Sequence, residues 1–222
     1  MQKRTAIFAA LATAAVALSG NAAATVYEYH NDGGTFGGQN GNYAYDSLYG
    51  RYDDLAQDFI WEVDYDGIAA DGGWLVISDG PNPKAADDQL AILYFDAAEN
   101  DVWAYAYNGK NNNKSYLTTQ FLGYFENAYT TVGTLATLSI NVAAINSVLT
   151  EGVMFDTSIG IWFHPSYNVT TSINPDGSLA QFSSSTTVWY DTKNETAIIP
   201  APATLALLGT GLMLLGAGRR RA

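Results

Sequence analysis

The chain of 222 residues contains no cysteine. That excludes disulfides, thiolate metal sites, a cysteine nucleophile and cysteine-linked lipid anchors. Histidine is nearly absent: only His30 and His164 offer an imidazole, and they form no His-x-x-x-His pair. No Gly-x-Ser-x-Gly elbow occurs, and Gly33 to Gly38 lack the spacing and following helix of a nucleotide loop. Positive charge is scarce and badly spread. Ten Lys and Arg face 22 acids, and five of the ten sit at the extreme ends: Lys3, Arg4, Arg219, Arg220 and Arg221. Residues 25–197 hold all 22 acids and only five bases, a net charge of −17. Such a body repels nucleic acid and anionic membrane surfaces, so no nucleic-acid partner is expected.

What is present begins with the N-terminus. Lys3 and Arg4 precede an uncharged, Ala-rich stretch from Thr5 to Leu18, followed by Ser19-Gly20-Asn21 and Ala22-Ala23-Ala24. A basic start, a short apolar middle and a small-x-small end are the three parts of a secretory signal peptide. The apolar stretch is too short to span a ~30 Å hydrocarbon core comfortably. Residues 1–24 are therefore expected to be removed by signal peptidase after Sec-type export. Ala22 and Ala24 would mark the cleavage site, leaving Thr25 as the new N-terminus.

At the other end, Ala197 to Gly218 carry no charge, and Arg219-Arg220-Arg221 follow at once. Pro200 and Pro202 do not sit well inside a helix, which leaves residues 203–218 as the uninterrupted part, ~24 Å at helical rise. Three arginines do not readily cross a bilayer, so they would stay cytoplasmic and the body would lie on the opposite side. The signal peptide puts the body on that same side. A buried terminal helix of a soluble domain is the alternative.

Pro200-Ala201-Pro202, the glycine-spotted apolar segment and the terminal Arg219-Arg220-Arg221 together resemble a PEP-CTERM sorting tail, also catalogued as an ice-binding-protein C-terminal motif, a name that does not establish ice binding. Ala201 stands where that family usually has Glu. The resemblance covers residues 198–222. It implies an exosortase as partner, cleavage near the tripeptide, and a Gram-negative source. The chain would be transiently anchored in the inner membrane with its body in the periplasm. It would then pass to the cell surface or extracellular matrix. Gly73 to Lys84, Leu90–Asp96 and Tyr105–Lys110 also look similar to bodies carried by other PEP-CTERM proteins.

Between the two ends, residues 25–197 are long enough for one domain. Apolar residues alternate: Phe59, Trp61, Val63 and Tyr65; Leu90, Ile92 and Tyr94 against Ala91, Leu93 and Phe95; Val102, Ala104 and Ala106; Ile159, Ile161 and Phe163; Thr187, Trp189 and Asp191. Turn clusters separate them, among them Asp66-Gly67, Asp71-Gly72-Gly73, Asn108-Gly109 and Asn174-Pro175-Asp176-Gly177. Short alternating strands with such punctuation predict an all-β fold, an antiparallel β-sandwich of jelly-roll or concanavalin-like type. Leu90 to Phe95 reads as a strand buried on both faces, Asn108-Gly109 as a tight hairpin turn, and Val142 to Leu149 as the one short helix.

The chemistry-bearing residues are few in kind. Glu62, Glu126 and Glu151 are the acids to inspect for a glycosidase pair. Asp64, Asp66 and Asp71 place carboxylates on a turning loop and raise the possibility of calcium, with Asp53, Asp54 and Asp58 as a second cluster. No other cofactor is implied. Tyr43, Tyr45, Tyr49 and Tyr52 lie in a polar, Gly-rich region and are expected to be exposed, as ring platforms for sugars. Trp61, Trp103 and Trp189 are expected in the core. The expectation is a non-enzymatic, exported protein with a structural or adhesive body. The alternative is a carbohydrate-binding module for extracellular polysaccharide, and a more remote one is a glycoside-active enzyme.

Overall fold

A computed structural model describes residues 26–38, 43–78, 89–107, 114–148, 160–192 and 199–200. Chain order runs β1 (Val26–Asn31), β2 (Gly34–Thr35), β3 (Ala44–Asp53), β4 (Asp58–Asp66), β5 (Gly72–Ser78), β6 (Gln89–Asp96) and β7 (Asp101–Ala106). A 3-10 turn at Ser115–Leu117 precedes β8 (Phe121–Phe125), β9 (Tyr129–Val132) and β10 (Leu135–Asn141). Helix α1 (Ala143–Val148) is followed by β11 (Gly160–Tyr167), β12 (Thr170–Ile173), β13 (Leu179–Ser183), β14 (Thr186–Thr187), β15 (Tyr190–Asp191) and β16 (Ile199–Pro200). The fold is all-β and every strand pair is antiparallel.

Two seven-stranded sheets result. The first orders β16-β1-β3-β4-β10-β9, with β2 also on β3. The second orders β14-β11-β5-β6-β7-β8, with β15 also on β11. Alternation decides which side chains meet between them. Phe59, Trp61, Val63 and Tyr65 of β4 point one way and are buried. They meet Leu75 and Ile77 of β5, Leu93 and Phe95 of β6, and Phe163 of β11 in one cluster. Ring contacts bridge the sheets: Trp61 to Phe163 at 5.6 Å and Phe95 to Tyr129 at 4.7 Å. Each such fully buried side chain contributes roughly 1.5–3 kcal/mol of transfer free energy.

The second sheet is covered on its other face too. Trp74, Val76, Ile92, Tyr94, Trp103, Tyr105 and Trp162 form a second buried cluster under Tyr116, Leu179 and Phe182. The cover is the β12–β13 hairpin together with the 3-10 turn. Three bonds pin it. The Leu179 N–H donates to the Tyr105 hydroxyl at 2.7 Å, and the Phe182 N–H to the Tyr116 hydroxyl at 3.1 Å. The Thr171 hydroxyl donates to Asp96 Oδ2 at 2.5 Å. This explains why β6 reads as apolar on both faces. The predicted turn at Asn174 to Gly177 closes this hairpin, with Gly177 at φ +85°.

Two local expectations change. Asn108 and Gly109 lie outside the described residues, and the strand that pairs with β7 next in sequence starts only at Phe121, too far on for a two-residue hairpin. Gly72 and Gly73, expected in a turn, begin β5 instead. Gly73 has φ +152°, and a Cβ there would strike the His164 carbonyl oxygen. Strand β11 runs through Pro165 to Tyr167. The predicted helix at 142–149 is present as α1. Among the described residues no helix is long and apolar enough to cross a membrane, and the segment 203–218 lies outside them.

Candidate functional site

Pro165 shapes one edge of the second sheet. Its carbonyl faces the outer neighbour and accepts the Val188 N–H at 3.1 Å. A proline has no N–H to donate on that same side. The outer ladder therefore breaks: Ser166 pairs with Thr187 and Phe163 with Tyr190, and Val188 and Trp189 fall between β14 and β15. Released from β11, Trp189 forms an antiparallel bridge with Gly37. The two exchange backbone hydrogen bonds, each 2.7 Å. The indole packs over Gly37, where a Cβ would collide with it.

The result is an open groove of about 760 Å³ lined by Gly38, Tyr43, Ser185, Thr186, Thr187, Val188 and Trp189. Tyr43 stacks on Tyr167 at 4.5 Å and separates this groove from a second hollow of about 240 Å³. Asp66, Gly67 and Ile68 line that hollow. Burial pushes the Tyr167 hydroxyl up to about 12, with nearby Tyr43 and Asp71 adding to the shift. It stays protonated at neutral pH. Ser185 Oγ donates to the Tyr167 carbonyl and accepts from Asn168 Nδ2 at 2.7 Å. Thr187 Oγ1 lies 2.9 Å from Ser166 Oγ and 3.0 Å from Ser184 Oγ. The hydroxyls are thus fixed from behind by their own network.

Of the four tyrosines expected as platforms, the structure brings only Tyr43 to this groove. Tyr45 and Tyr52 are corrected: both are buried core residues of β3. Tyr45 packs on Phe36 at 4.9 Å, and its hydroxyl donates to Asn31 Oδ1. Tyr52 stacks on Tyr27. Tyr49 is half-buried, and its hydroxyl donates to Glu28 Oε1 at 2.8 Å. Trp61 and Trp103 are in the core as expected, but Trp189 is 41% exposed.

The acidic candidates do not converge. Asp64 Oδ1 accepts the Thr134 hydroxyl at 2.7 Å, Asp66 is exposed at the end of β4, and Asp71 Oδ2 accepts the Asn168 N–H. Asp53 accepts the N–H groups of Leu55 and Ala56 in the following turn, and Asp58 accepts from Asn141. Among the described residues no group of three or more His, Cys, Asp or Glu is placed to hold a metal ion. Glu62 lies on β4 and shares a bond with Thr137, whereas Glu126 sits in the turn after β8. Glu151 lies outside the described residues. His30 is exposed beside Asp32, and His164 is buried in the sheet, stacked on Trp74 at 4.6 Å. Of the sorting residues, Pro200 is described, paired with Tyr27 at the edge of the first sheet. Ala22, Ala24, Thr25, Ala201, Pro202, Arg219, Arg220 and Arg221 lie outside the described residues.

Against known proteins, the chain matches no family model, no curated protein and no solved structure.

Proposed function

We propose that this is an exported surface or matrix protein of a Gram-negative bacterium, with addressing labels at both ends and a non-catalytic body. The observation that carries the reading is the order of charge at the C-terminus. Pro200-Ala201-Pro202 leads into an uncharged stretch to Gly218, and Arg219-Arg220-Arg221 follows. In this reading signal peptidase cuts after Ala24. The segment 203–218 parks the chain in the inner membrane, and an exosortase releases it near the tripeptide. The placement of β1 is in keeping with this, since it starts at Val26, two residues after the proposed cut. Pro200 beside Tyr27 would bring the two processing sites to one sheet edge.

The body between them is a β-sandwich of jelly-roll or concanavalin-like type in this account, and its role is structural or adhesive. Its two sheets share a core dominated by rings. A second reading, a carbohydrate-binding module, is favoured by one observation: the groove beside Trp189.

Reporter fusions test the reading. Alkaline phosphatase is active only in an oxidising compartment, where its disulfides form. Fused behind Val188 it should be active, and fused behind Ala222 inactive. Activity behind Ala222 would reverse the proposed orientation, and inactivity of both would retire the export reading.

A further inference from the structure

We propose that the Trp189–Tyr43 groove binds a neutral polysaccharide chain. The proposal rests on the adhesive reading of the body and names what it adheres to. All five tryptophans fall among the described residues. Trp61, Trp74, Trp103 and Trp162 are buried, whereas Trp189 is 41% exposed. Trp189 is therefore the one tryptophan whose ring is open to a partner.

The ring is also held in place. The paired 2.7 Å bonds to Gly37 fix its backbone, and the missing Cβ of Gly37 makes room for the indole. Such pre-positioning lowers the ordering cost of binding. Around it stand hydroxyls with different duties. Those of Ser185 and Thr187 are held by protein partners. The Thr186 and Tyr43 hydroxyls make no hydrogen bond to the described residues, and both line the groove.

This combination selects the ligand class. A sugar ring offers a C–H face that packs on an aromatic plane, and an equator of hydroxyls that exchange hydrogen bonds with others. Small apolar ligands prefer enclosed, mostly apolar pockets, and this groove is open and rich in hydroxyls. An anionic ligand is disfavoured because no Lys or Arg is among the described residues that line the groove, and residues 25–197 carry −17. Tyr43 also lines the second hollow, beside Asp66, whose exposed carboxylate can accept sugar hydroxyls. Two hollows on either side of one ring suit a chain of linked sugars better than a single one.

The test uses the full chain in a sugar-free zwitterionic detergent, passed over the neutral polymers cellulose, chitin and dextran and over anionic alginate. Retention on at least one neutral polymer is expected. Trp189→Ala should weaken it about tenfold or more, the loss of about one aromatic contact. Trp189→Phe should recover part of it, and Leu55→Ala, at an exposed turn, should leave it unchanged. Thermal melting should confirm that every variant is folded. In parallel, the bound neutral polymer should shield Trp189 from acrylamide quenching of its fluorescence. Retention on no neutral polymer, retention on alginate alone, or equal retention of wild type and Trp189→Ala would overturn the proposal. None of these outcomes touches the export reading, which stands or falls on where the chain is found.

Discussion

Trp189 and Gly37 exchange two backbone hydrogen bonds of 2.7 Å across an isolated bridge, and the indole occupies the space where any larger residue at 37 would put its Cβ. The first prediction follows from that contact. Gly37→Ala should force the ring aside and cost roughly 1–3 kcal/mol, the usual penalty for overpacking. Urea denaturation reads the stability, and the emission of Trp189 reads its environment. An unchanged midpoint with unchanged emission would show that the bridge does not hold the ring.

The core shared by the two sheets sets the next prediction. Leu93 is fully buried between the sheets, and Leu55 is 66% exposed in the turn after β3. Leu93→Ala should destabilise the body by about 2–5 kcal/mol, while Leu55→Ala should stay within about 0.5 kcal/mol. Chemical denaturation of both variants decides it. Equal effects would contradict the shared core.

The sequence signal was strongest where alternation ran unbroken. In β4 the series Phe59, Trp61, Val63 and Tyr65 identified both the strand and its inner face. Tyr45 and Tyr52 were misread because β3 hides its own period. A bulge between Tyr45 and Ser47 shifts the register, and Gly50 takes an inward position without an apolar side chain to reveal it. Trp189 was misread for another reason. Alternation separates two faces without saying which is inside, and here Val188 and Tyr190 are the buried set. The groove itself left a partial trace in the hydroxyl run Ser183 to Thr187 followed by an aromatic pair. Its meeting with Gly37 depends on a contact between residues about 150 positions apart, which no local pattern encodes.

The hairpin that covers the outer face depends on Asp96, which is buried and accepts from the Ala98 N–H and the Thr171 hydroxyl. Thr171→Val keeps the shape and removes the donor. It should cost about 1–3 kcal/mol through the carboxylate left short of a partner. Amide hydrogen exchange should rise first in residues 170–183. Exchange that rises uniformly over both sheets would contradict a local role.

Alkali should weaken the fold through its tyrosines. The Asp101 carboxylate that accepts the Tyr124 hydroxyl at 2.5 Å, with burial adding to it, pushes that hydroxyl up to about 12. Burial alone pushes Tyr107 to about 12, and burial followed by the bond to Glu28 does the same for Tyr49. The folded chain therefore holds these protons more tightly than the unfolded chain, where tyrosine titrates near 10. The resulting stability is fully present below pH about 10 and is lost as pH rises from about 10 towards 12. Melting temperature against pH should fall across that window, and Tyr124→Phe should make the fall shallower. A flat profile would show that these hydroxyls titrate alike in both states.

The central claim is that both ends are removed and the acidic middle persists outside the cell. Intact mass spectrometry of the protein recovered from the cell surface and medium tests it most directly. The account predicts a chain that begins at Thr25 and ends before Arg219. A chain running from Met1 to Ala222 in that fraction, or recovery of the protein only from the cytosol, would contradict it.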